Sequence, residues 1–83
     1  MEATEDKIKN LIEKPMQEID IIVCDIQWEI QNKHQFLKIT LDKAGGIDLD
    51  TIVEATNIIN PILDEYDLID KEYILDVTSK ERG

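Results

Sequence analysis

The residue types that could do chemistry in this chain are few and scattered. The stretch "LDKAGGIDLD" at 41–50 sets two adjacent glycines, Gly45 and Gly46, among Asp42, Asp48 and Asp50. Glycines that free backbone N–H groups can cradle a phosphate, and closely spaced aspartates can hold calcium. Neither chemistry fits. The phosphate loops G-x-x-x-x-G-K-[ST] and G-x-G-x-x-G are absent, and Asp42, Asp48, Asp50 and Glu54 would oppose an anion. A calcium loop begun at Asp42 puts Val53 where a bidentate glutamate is required. Cys24 and His34 are each single of their kind, so neither a paired metal spacing nor a nucleophile, base and orienting group can be assembled. With 19 acidic residues, close carboxylate pairs arise by chance and do not mark an acid–base site. No catalytic residue, cofactor or metal ligand is expected, and the chain reads as a non-enzyme.

Charge is the most informative global feature. Nineteen acids against nine bases give a net charge of −10. Residues 48–76 hold nine of the acids and a single base, Lys71. Such a field repels phosphate backbones and anionic membranes and favours a basic partner; the plainer alternative is a solvated face that maintains solubility. No apolar run approaches the ~20 residues that span a bilayer, and the start "MEATEDK" lacks the order of a secretory signal, so a soluble cytoplasmic protein is expected.

The elements that must position these residues follow from apolar spacing. At 83 residues one small domain is expected. Ile8, Leu11, Ile12, Met16 and Ile19 recur at threes and fours, predicting a helix over 3–18 that Pro15 kinks or cuts short. Ile22, Cys24, Ile26, Trp28 and Ile30 then alternate against Asp25, Gln27 and Glu29, the period of a strand. On this pattern Cys24 and Trp28 share the predominantly apolar side, and Cys24 is a buried, reduced thiol. After "QNKH" a second strand carries Leu37, Ile39 and Leu41, closing an antiparallel hairpin with His34 exposed at its tip.

Gly45 and Gly46 fall between that strand and a second helix, so they read as a connector whose positive φ reverses the chain. Asp48 is placed to cap the helix, whose core stripe is Leu49, Ile52, Val53, Thr56, Ile59 and Leu63. Pro61 predicts a bend, or a fresh start capped by Asn60. The turn "DLIDKE" leads to a third strand in which Tyr73, Leu75 and Val77 alternate with Ile74 and Asp76. The fold class is α+β, in the order αββαβ, with two helices on one face of a three-stranded mixed sheet. Strand one, long and apolar on both faces at its start, is expected at the centre.

The segment "LIEKPMQEIDIIVCDIQW" at 11–28 resembles the opening of the bacterial ribosome maturation factor RimP family, with Asp25 and Trp28 on its aspartate and aromatic positions. A closer likeness lies in "LKITLDKAGGIDLDTIVEATNIINPILDEYDLIDKEYILDVTS", where Asp42, Lys43, Gly46, Ile47, Leu49, Asp50, Ile59, Leu63, Asp64, Tyr73, Leu75, Val77 and Ser79 match. The chain departs from the family where serine-arginine becomes Thr56 and Asn57, and where serine-serine-proline-glycine becomes Thr78, Ser79, Lys80 and Glu81. The resemblance implies a non-enzymatic assembly factor that binds the small ribosomal subunit during its maturation, with this domain bearing on a basic ribosomal protein. It also implies a domain over 1–79, with 80–83 starting a linker to an SH3-like barrel absent from this sequence.

The partner-binding residues follow from the second helix. Asp50, Glu54, Asn57 and Asp64, with Pro61, form the stripe opposite its expected core face. Asn57 in place of the family's arginine leaves that stripe without a base. The domain is expected to act as a monomer, with no membrane contact and no direct nucleic-acid contact. A KH-like RNA-binding module is the alternative, but it needs a G-x-x-G loop in basic surroundings, and Gly45 and Gly46 are adjacent and flanked by acids.

Overall fold

The computed structural model describes residues 4–66 and 72–80. Five elements follow in the expected order: α1 (Thr4–Glu18), β1 (Ile21–Gln31), β2 (His34–Lys43), α2 (Leu49–Tyr66) and β3 (Ile74–Ser79). The expected turn at 67–72 lies outside the described residues except for Glu72, as does the expected linker except for Lys80. The three strands form one mixed sheet, with β1 antiparallel and β3 parallel to β2. A parallel pair cannot be joined by a tight turn, and α2 is the crossover that β2 and β3 require.

The strand order is β1-β2-β3, so β2 is central and the expectation of a central β1 is corrected. The pattern that made β1 look central comes from a bulge. Val23 pairs with Leu41 and Asp25 with Thr40, which leaves Cys24 without a partner and shifts the register there. Ahead of the bulge Ile21 and Val23 are buried; beyond it the inward positions change parity to Ile26 and Trp28. The two apolar half-faces of β1 are therefore one inner face displaced by a residue, as bulges on edge strands allow. Ile22 consequently lies on the outer face at 59% exposure, and Cys24 is half-buried rather than buried.

Leu37, Ile39 and Leu41 of β2 carry the middle of the core, and Leu75 and Val77 pack beside them across the parallel register. Ile8, Ile12 and Met16 of α1 close over the sheet together with Ala55, Ile59 and Leu63 of α2. Neither proline ends its helix: α1 runs through Pro15 to Glu18, and α2 is a single helix through Pro61, with no restart at Asn60. Each proline forfeits one backbone bond, and the packed apolar stripe holds the helix despite that loss.

The hairpin closes at Gln31 and His34 with Asn32 and Lys33 between them at φ 49° and 68°, the two positive angles of a type I′ turn. The glycine pair is likewise a matter of geometry. Gly45 and Gly46 have φ of 84° and 102°, and the Gly46 N–H donates to the Lys43 carbonyl at 2.9 Å. A Cβ at either position would meet nothing within 4 Å, so the backbone angle alone penalises a side chain. Alanine at Gly45 or at Gly46 is expected to lower stability by about 1 kcal/mol in chemical denaturation. Unchanged stability in both single variants would remove the conformational reason for the pair.

Candidate functional site

α2 begins where Asp48 caps it. The Asp48 carboxylate accepts from the Thr51 N–H at 2.8 Å and from the Thr51 hydroxyl at 2.6 Å. These two bonds, from the Thr51 side chain first, hold the carboxyl below its ordinary pKa. A depressed carboxylate pKa stabilises the fold above the ordinary value, and that contribution is lost as pH falls through the folded one. The protection factor of the Thr51 amide, its exchange corrected for the intrinsic rate at each pH, should therefore fall on acidification below the ordinary carboxylate range. In the Asp48→Asn protein the amide oxygen can still cap, and the acid dependence should disappear. If it persists, another group controls the first turn.

The inward face of α2 is set by Ala55, Ile59 and Leu63, all buried, with Ile52, Ile58 and Ile62 packed around them. This corrects the expected stripe at two positions: Leu49 is 77% exposed and Val53 52%. At ~100° per residue Leu49 and Val53 lie about 80° and 120° around the helix from Ile59, on the side away from Ile58 and Ile62, where they are left exposed. Ala55, whose side chain is too small to stand out in an apolar pattern, takes the inward place. Thr56 is half-buried and satisfies its hydroxyl by donating to the Ile52 carbonyl at 2.8 Å.

Asp50, Glu54, Asn57 and Asp64 are all exposed on α2, with Pro61 exposed among them. They occupy the line opposite Ile59, and among the described residues none of the three carboxylates has a salt-bridge partner. Charge compensation occurs elsewhere: Lys38 Nζ lies 2.6 Å from Glu29 Oε2 on the outer face of the sheet. The α2 line thus faces solvent as an uncompensated anionic surface. The exposed pair Leu49 and Val53 borders it, and sequence patterning had assigned that pair to the core.

A second feature had no signal in the sequence. The flank of α2 carrying Thr56, Asn60 and Asp64 faces the segment 72–75 and the hairpin tip at His34 and Gln35 across a solvent-open cleft of about 740 Å³. Tyr73 lines it, with its ring edge-to-face against Trp28 at 6.2 Å. Partial burial, and then the charge of Asp64, push the Tyr73 hydroxyl above its ordinary pKa. His34, expected merely at a tip, is therefore at the rim of a concavity. Its neighbours come from three elements distant in sequence, so no local spacing could reveal it.

Among the described residues no group of three or more His, Cys, Asp or Glu side chains could hold a metal ion. No helix among them is long and apolar enough to cross a membrane. The chain matches the RimP N-terminal domain over residues 11–80, from within α1 to just past β3, and so across the whole sheet and α2. That span covers most of the 83 residues, and the chain belongs to the RimP N-terminal domain family, the family of a ribosome maturation factor.

Proposed function

We propose that this domain is a non-enzymatic docking module of small-subunit maturation in the bacterial cytoplasm, placing the outer face of α2 against a basic ribosomal protein. The observation that carries this reading is the line of Asp50, Glu54, Asn57 and Asp64, exposed, free of any base and without salt-bridge partners among the described residues. A net charge of −10 opposes contact with the phosphate backbone of ribosomal RNA and favours one of the cationic proteins embedded in it. Leu49 and Val53 add apolar area beside the charges, the composition of an interface whose rim is polar. Co-sedimentation tests the proposal. The chain should pellet with immature small subunits and not with large subunits at moderate salt, and equal pelleting with both would contradict it.

A further inference from the structure

We infer that the cleft between α2, the start of β3 and the hairpin tip is a socket for an arginine side chain of the basic partner, an inference that rests on the docking role of α2. Among the described residues the lining holds two carboxylates, Asp64 and Glu72, and no lysine or arginine. An anionic ligand would be repelled there, while a cation gains two opposite charges in a partly enclosed space. Tyr73 lines the same cleft, its ring held against Trp28 at an interplanar angle of 83°. Carboxylates beside a fixed aromatic ring suit a guanidinium better than an ammonium, because the planar group can pair bidentately and stack, whereas lysine offers a compact, strongly hydrated charge. Asn60 and Gln35 add amides that can accept further N–H groups.

The socket also continues the docking face. Leu49, Val53, Thr56, Asn60 and Asp64 recur at spacings of four and three, so one line of α2 runs from the exposed apolar pair into the cleft. From Val53 to Asp64 the helix rises ~16 Å, the reach of about five extended residues. A partner segment with an apolar side chain about five residues from an arginine fits that line.

Trp28 is the sole tryptophan and touches Tyr73, so its emission reports on the cleft. Titration with a hexa-arginine peptide should give a saturable change in that emission, and hexa-lysine should bind more weakly. The Asp64→Asn/Glu72→Gln protein should bind hexa-arginine ~10-fold or more weakly, the scale of lost charge-assisted bonds. Glu18→Gln/Asp20→Asn removes the same charge from outside both the cleft and the α2 docking face and should weaken binding less than ~3-fold. All four residues are exposed, so these proteins should fold like the parent, which circular dichroism checks. Equal weakening by the two pairs, or no preference for arginine, would reduce the effect to long-range attraction and overturn the socket. The same proteins separate this inference from the docking role. If the cleft pair pellets with small subunits as the parent does, the socket fails there and the α2 reading stands. If no version pellets while the cleft still selects arginine, the docking role fails and the socket serves another basic protein.

Discussion

Replacing Ile39 with alanine is expected to destabilise this domain by about 2–5 kcal/mol, whereas Ile22→Ala should change its stability by no more than about 0.5 kcal/mol. The two residues have the same chemistry and differ in where the sheet directs them. Ile39 is fully buried at the centre of β2, opposite Ile26 on one side and Val77 on the other, so its truncation leaves a cavity that three strands and two helices would have to collapse to fill. Ile22 sits on the outer face of β1, one residue before the unpaired Cys24, and loses little burial when shortened. Small domains are marginally stable, so the first change takes a large share of the total. Urea unfolding monitored by far-ultraviolet circular dichroism would measure both. A costly Ile22→Ala combined with a mild Ile39→Ala would mean that the inner and outer faces are reversed.

That comparison also marks where the sequence stops being readable. Strand periodicity in β1 was plain, but a one-residue bulge changes which parity faces inward, and nothing local distinguishes a displaced inner face from two apolar faces. The same ambiguity made β1 look central. β2, with a clean alternation of Leu37, Ile39 and Leu41, looked like the simpler strand because only one of its faces is covered. Strand order is a long-range property, and chain-local patterns carried no vote on which strand β3 would join.

The helices divide in a similar way. α1 was legible from its apolar stripe, and the cap at Asp48 was legible because an acceptor side chain before a periodic run has a specific local task. The inward face of α2 was not, since Leu49 and Val53 outweigh Ala55 in any hydrophobicity pattern, yet the helix rolls to present the small residue. The two prolines end neither helix, for a different reason. The cost of a missing backbone bond is local, and the packing that offsets it is tertiary. The acidic line of α2 was visible because it is a pattern within one helix, while the cleft was invisible because Asp64, Tyr73 and His34 meet only after the sheet has formed.

Reversing Asp50, Glu54 and Asp64 to lysine is expected to slow association with the small subunit by on the order of 10-fold or more at low ionic strength, with the fold intact. Each reversal changes the net charge by two units, and all three are concentrated on the face proposed to meet the partner, so the steering field there changes sign rather than merely shrinking. Exposed charges act mainly on the rate of encounter and are screened over about 8–10 Å at physiological salt. The parent should therefore bind more slowly as salt rises, and the triple variant should show a flatter or inverted dependence. The fold should tolerate the change because all three side chains are exposed and none closes a salt bridge among the described residues. Stopped-flow mixing of labelled domain with small subunits across a salt series would measure both slopes. A triple variant that associates as fast as the parent at low salt would show that α2 is only a solvated face, and the contact would then have to be sought on the hairpin or the open side of the sheet.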